Sequence, residues 1–331
     1  MYRRLIGIAV VLTFGLVMLG AYVRLTDAGL GCPDWPGCYG TLSPVHASDQ
    51  IRQAVQEQGG EHGPVSMGKA WREMGHRYIA ASLGLLIIVI AWIALQRRRM
   101  LQQSPALALA LVAVVILQGL FGKWTVTLLL KPAIVTGHLI GGLLTLAMLL
   151  WLWQRQVPWK RFVDAEPVAA LRGAAVVGLV LLCAQIVLGG WTSTNYAALA
   201  CTDLPTCQGQ WWPPVNFADA FHVFRELGRT GDGEMLPADA LTAIHLSHRI
   251  GAVIVTVVLG WLAHRLMATP GLRALGISLL VVLVLQVLLG LANVWFSLPL
   301  SVAVAHNGGA ALLLALLVVL NFQVVRARLQ I

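Results

Sequence analysis

Two short cysteine segments, Cys32-Pro-Asp-Trp-Pro-Gly-Cys38 and Cys201-Thr-Asp-Leu-Pro-Thr-Cys207, stand 169 residues apart, and other motifs recur at nearly the same offset. His76-Arg77 returns as His248-Arg249 (offset 172). Gln118 in Leu-Gln-Gly-Leu-Phe-Gly returns as Gln286 in Leu-Gln-Val-Leu-Leu-Gly, and His138 before Gly141-Gly142 returns as His306 before Gly308-Gly309, both at offset 168. A near-constant offset across four motifs marks a duplicated unit. Each unit therefore supplies one cysteine pair and two histidines set in apolar sequence, where an imidazole is costly unless something binds it.

The surrounding sequence is a membrane sequence. Of 331 residues 58% are hydrophobic and 11% charged, and the mean hydropathy is +0.77. A spanning helix needs about 20 apolar residues, and eight stretches qualify: 5–23, 76–95, 105–126, 134–153, 172–192, 243–264, 274–295 and 301–322. The expected fold is all-α and integral to the membrane. The first stretch lacks a small-residue cleavage site and runs into the repeat, so it reads as a retained helix rather than a signal peptide.

If eight helices alternate, Arg3-Arg4, Arg97-Arg98-Arg99, Arg155/Lys160/Arg161, Arg265/Arg273 and Arg326/Arg328 gather on one side. That side is expected to be cytoplasmic, with both termini on it. The net charge of +9 is then a topology signal and gives no case for nucleic acid. The opposite side carries two long loops, about 24–75 and 193–242, each with a cysteine pair. Five intervening residues allow a bridged ring worth roughly 2 kcal/mol by chain entropy, which persists in an oxidising compartment. A redox-active pair and a metal site remain open readings, the latter less well matched because metal ligands prefer tighter spacing. Cys183, deep in the fifth helix, is expected to be a buried, inert thiol.

The nine histidines differ in meaning. His46, His62 and His222 fall in polar outer loops, and His264 suits a helix C-terminus. His76, His138, His248 and His306 each lie near the start of an even-numbered helix, hence at matched depth in the outer half of the membrane. Facing histidines on two helices of a bundle are a standard grip on a haem iron. The natural pairings are His76 with His138 and His248 with His306. Gly75, Gly137, Gly141, Gly142, Gly251, Gly308 and Gly309 would admit a flat macrocycle, or equally serve close helix contacts. Arg24, Arg77, Arg249 and Lys131 are candidates for haem propionates, although an interfacial arginine also simply snorkels.

One difference breaks the repeat: Glu73-Met-Gly-His76-Arg77 aligns with His245-Leu-Ser-His248-Arg249. Residues three apart share a helix face, so Glu73 points toward whatever His76 binds. A first-turn glutamate also suits the helix dipole, while beside a haem it could move protons. The asymmetry suggests that the first half holds substrate and the second an electron-carrying cofactor.

The run Gly-Ala-Tyr-Val-Arg24-Leu-Thr-Asp-Ala-Gly-Leu-Gly-Cys32-Pro-Asp-Trp-Pro-Gly-Cys38, then Glu73-Met-Gly-His76-Arg77, Thr-Gly-His138-Leu, His248-Arg249 and His306-Asn307 together resemble the haem A synthase family over essentially the whole chain. The resemblance implies two four-helix bundles, residues 1–160 with the substrate haem O site and 161–331 with a haem b cofactor site. It implies conversion of the C8 methyl of haem O to a formyl group through a hydroxymethyl intermediate, giving the haem A of terminal oxidases. It places His76 and His138 at the substrate haem, His248 and His306 on haem b, Glu73 at the family's essential glutamate, and Cys32 and Cys38 at its outer-loop cysteines. Haem O synthase is the implied upstream partner, an electron donor is required, and a homo-oligomer is left open. Read without the resemblance, the four histidines also suit a b-type dihaem electron-transfer protein. A transporter is a weaker alternative, since the repeats share one orientation and no Gly/Pro-broken helix pair sits at midplane.

Overall fold

A computed structural model describes residues 1–60, 63–158, 162 and 164–330; His62, Lys160 and Arg161 lie outside the described residues. Among the described residues the chain is all helical, with three isolated β-bridges in its loops. Eight helices among the described residues are long and apolar enough to cross a membrane. They are α1 (Tyr2–Leu25), α2 (Met67–Gln96), α3 (Ala106–Thr127), α4 (Pro132–Gln154), α5 (Arg172–Thr194), α6 (Ala238–Ala268), α7 (Arg273–Trp295) and α8 (Leu300–Arg328). This is a multi-pass membrane protein. Helices satisfy their own backbone groups, which hydrocarbon cannot do. Thr13, Thr145, Thr192 and Thr256 likewise return their hydroxyls to the carbonyl four residues back, so no polar group of theirs faces lipid.

Three helices outrun the apolar stretches that betray them. α2 begins at Met67 instead of residue 76, α6 at Ala238 instead of 243, and α8 continues to Arg328 instead of 322. Their outer turns are polar, so hydropathy misses them. Ser66 nonetheless caps α2 by accepting the Lys69 N–H at 3.2 Å, which supplies part of what a helix start needs. His76 and His248 consequently sit well inside their helices rather than near the first turn.

The chain divides into two compact units, Met1–Thr145 and Leu146–Ile331. In the first, α2 packs against α1 and α3. α4 reaches α3 through Gly137 against Phe121 and Gly141 against Gln118, and reaches α1 through Gly142 against Val17. In the second, the long helices pack in the cyclic order α5, α6, α7, α8 and back to α5, which sets α6 and α8 diagonally across. The closest helix-on-backbone approach at a glycine there is Gly276 of α7, where an added Cβ would stand 2.8 Å from both the Ala263 oxygen and the Met267 nitrogen of α6. Gly276→Val should therefore destabilise the protein by about 1–3 kcal/mol, the usual cost of overpacking. Thermal unfolding in detergent checks this, with Gly260→Ala, which has open space, retaining wild-type stability.

Outward-facing Leu85, Trp92, Val253 and Val257 are exposed along the helices, as a lipid-facing surface requires. Cys183 is also exposed, against the expectation of a buried thiol. The buried face of α5 is Ala175, Gly178 and Leu182, and Cys183 falls off it.

Both cysteine pairs are disulfide-bonded, Cys32 to Cys38 and Cys201 to Cys207. No cluster of three or more His, Cys, Asp or Glu able to hold a bare metal ion occurs among the described residues. The first ring is buried against Ile51 and Ala54 of the short loop helix Ser48–Glu57, Ala70 and Met74 of α2, and Ala47 and Val65 just before those helices. In the second loop Arg225 is 4% exposed, donates to Asn195 Oδ1 at 2.6 Å and lies 5.6 Å over the Trp191 ring. Burial pulls its pKa below the ordinary arginine value.

Candidate histidine-pair sites and their outer rings

His76 on α2 and His138 on α4 face one another with ring centroids 6.4 Å apart and planes at 64°. With metal–nitrogen bonds of about 2.0 Å, two imidazoles sharing one ion have centres roughly 6 Å apart, so this spacing fits a metal ion held between the rings. In the second unit His248 on α6 and His306 on α8 belong to the diagonal helices.

Each histidine lies against a glycine of the preceding helix. A Cβ on Gly20 would be 3.2 Å from His76 Nε2; on Gly122, 3.6 Å from His138 Cε1; on Gly189, 3.1 Å from His248 Cε1; and on Gly290, 3.2 Å from His306 Cε1. These four glycines escaped the sequence reading, although Gly20/Gly189 and Gly122/Gly290 keep offsets of 169 and 168. Of the glycines that were singled out, Gly141, Gly251 and Gly309 instead meet Gln118, Gln185 and Gln286, while Gly75 faces open space.

The glutamines complete a pattern. Gln118, Gln185 and Gln286 each precede a histidine-facing glycine by four residues, and the fourth position is Leu16. Gln185 Nε2 lies 2.9 Å from both His248 Nδ1 and the His248 carbonyl, and Gln286 Nε2 lies 3.4 Å from His306 Nε2. Such neighbours fix the orientation of a ligand imidazole. Both histidines of the second unit are thus held by glutamine. Buried His138 Nδ1, His306 Nδ1, Gln185 Oε1 and Gln286 Oε1 have no hydrogen-bond partner among the described residues. Buried polar atoms are normally paired, so the imidazole nitrogens left open at His138 and His306 fit a haem held at each histidine pair.

Above each site stands a ring. Glu73, 5% exposed, accepts the Cys32 N–H through Oε2 at 2.9 Å and Arg77 Nη2 through Oε1 at 2.5 Å. Arg77 Nη1 donates to the carbonyls of Asp34 at 2.8 Å and of Gly37. Its counterpart Arg249 donates to Asp203 O at 3.0 Å, Thr206 O at 2.9 Å and Cys201 O at 2.8 Å. Both arginines are engaged with ring carbonyls, and Arg24 lies 3.4 Å from Asp27. Inside the rings Asp34 accepts the Tyr39 and Gly40 N–H groups, and Asp203 accepts those of Gln208 and Gly209. Thr206 and these backbone bonds hold the Asp203 carboxyl down at about 2. Burial, then Asp34 and Glu73, push the Tyr39 phenol up.

Eight apolar helices with a duplicated histidine pair beneath duplicated disulfide rings define a multi-pass membrane protein with paired imidazole sites. Residues 3–318 match the COX15-CtaA family, cytochrome oxidase assembly protein, and the chain belongs to that family. It is 44% identical over 318 residues to the haem A synthase of Shewanella oneidensis, covering 96% of this chain and 95% of that one. It is 31% identical to the haem A synthase of Novosphingobium aromaticivorans, over 91% of this chain and 88% of the relative, and 27% identical to that of Caulobacter vibrioides over 93% and 91%.

Proposed function

We propose that this chain is a haem A synthase, which oxidises the C8 methyl of haem O to a formyl group. The observation that carries the reading is the His76–His138 pair at 6.4 Å with Glu73 one turn before His76, against a second pair that has His245 in place of the carboxylate. The first unit, residues 1–160 as a four-helix repeat, takes haem O between His76 and His138. The second, residues 161–331, takes a haem b between His248 and His306. That haem, when bound, supplies one-electron transfer.

The methyl would be oxidised twice, to a hydroxymethyl and then a gem-diol that loses water to give the aldehyde. Each oxidation adds one oxygen atom and, where that oxygen comes from water, releases two protons and passes two electrons to an external acceptor. His76 and His138 hold the substrate ring, and Gly20 and Gly122 leave room for their imidazoles. Gln185 and Gln286 orient the second pair, while Leu16 offers His76 no equivalent hydrogen bond. A permanent cofactor and a departing product call for that difference. Arg24, Arg77 and Arg249 line the rim where propionates would emerge. The basic helix ends put both termini on the cytoplasmic side and the rings outside. Haem O synthase is the source of substrate, and an external electron-transfer partner completes the redox balance.

Mass spectrometry of haems extracted from cells that make haem O, with and without this chain, tests the reading. Haem A or its hydroxymethyl precursor is the expected product. Untouched haem O with haem b co-purifying would instead establish a dihaem electron carrier.

A further inference from the structure

We propose that Glu73 is a positioning residue whose carboxylate latches the Cys32–Cys38 ring onto the turn of α2 that carries His76. The proposal rests on the assignment of that turn to the substrate site. Glu73 joins two partners at once, the Cys32 N–H and the Arg77 guanidinium, and Arg77 continues the chain of contacts into the ring carbonyls of Asp34 and Gly37. Gly31 brings the backbone so close that an added Cβ would lie 2.7 Å from the Lys69 carbonyl carbon. Close packing at Gly31 and the two bonds accepted by Glu73 together seat the ring against α2.

The second unit shows why a carboxylate is needed. His245 occupies the same place, with Nδ1 3.2 Å from the Cys201 nitrogen and Nε2 3.3 Å from Arg249 Nε. Both neighbours are donors. A neutral imidazole has one acceptor nitrogen and one N–H, so it satisfies only one of them. A carboxylate accepts from both, and charge-assisted bonds are the stronger kind. At this one position the first ring has a two-point acceptor and the second a one-point acceptor, while Arg249 bonds the Cys201, Asp203 and Thr206 carbonyls of the second ring directly.

The sulfurs report the latch directly. Cys32 and Cys38 are 0% exposed, and Cys201 and Cys207 are 0% and 1%, so a dithiol reaches them only when a ring lifts. The dithiol then gives two electrons and two protons, breaks the S–S bond to two thiols and leaves as its own disulfide. The experiment is dithiothreitol reduction of the full-length protein in detergent, with thiols alkylated and each ring quantified by peptide mass spectrometry. Glu73→Gln and Glu73→His should both speed reduction of the first ring, by about tenfold or more for loss of a charge-assisted hydrogen bond, with the second ring unchanged. His245→Glu should slow the second ring. Wild-type rates in both Glu73 variants, or equal acceleration of both rings, would overturn the latch. Haem A yield gives an independent check, because Glu73→Gln combined with Cys32→Ser should lose no more than the worse single variant. Multiplying losses would show the carboxylate acting apart from the ring. Failure of the synthase assignment would appear as no haem A from the wild type, with the thiol rates still decided.

Discussion

Alanine at His248 or His306 should strip the haem from the second unit and leave the first able to bind its own. The grounds are the separate support each pair receives. His248 is held by Gln185 and seated against Gly189, and His306 by Gln286 against Gly290; none of these residues belongs to the first unit. Outer-shell partners of a metal ligand are worth 10–100-fold in affinity, so loss of the ligand itself should cost about 100-fold or more. Protein purified from cells lacking haem O should then have no Soret band in either variant, while His76→Ala should keep the wild-type band. Gln185→Leu, which installs the residue found at the equivalent position 16, should retain haem but bind it more weakly. A Soret band lost in His76→Ala and kept in His306→Ala would reverse the assignment of the two sites.

Much of this was legible in the chain because duplication states its own register. The eight helices, the two cysteine rings and the four histidines follow from periodic apolar runs and constant offsets. Helix ends were less visible, since α2 and α6 begin in polar sequence that hydropathy does not mark. Cys183 was misplaced because a thiol tolerates either face of a membrane helix, and composition alone does not say which face packs. The glycines behind the histidines were hidden for another reason. Gly20, Gly122, Gly189 and Gly290 lie on the odd helices, and only the fold reveals that they oppose the imidazoles of the even ones. Glu73 stood out as a break in symmetry, but its two partners, a loop amide and Arg77, required the seating of the ring.

Those glycines give the sharpest test of how each pocket is shaped. Gly20→Val would put a branched side chain where a Cβ alone already comes within 3.2 Å of His76 Nε2. The imidazole must then rotate away or the helices must part, and packed interiors resist both at about 1–3 kcal/mol. Either response misplaces His76, and displacement of a positioned group by about 1 Å can cost 100-fold in rate. Gly20→Val should therefore abolish haem A formation while the second unit keeps its haem. Gly189→Val, with its Cβ 3.1 Å from His248 Cε1, should do the converse and lose the resident haem first. Gly119→Val on α3 is the control, since Gly119 has nothing within 4 Å and should retain both haem content and product. The pair of readouts, Soret absorbance of the purified protein and haem A in extracts, separates the two pockets. Were Gly20→Val to make normal haem A, the space against His76 would not be the space the substrate uses.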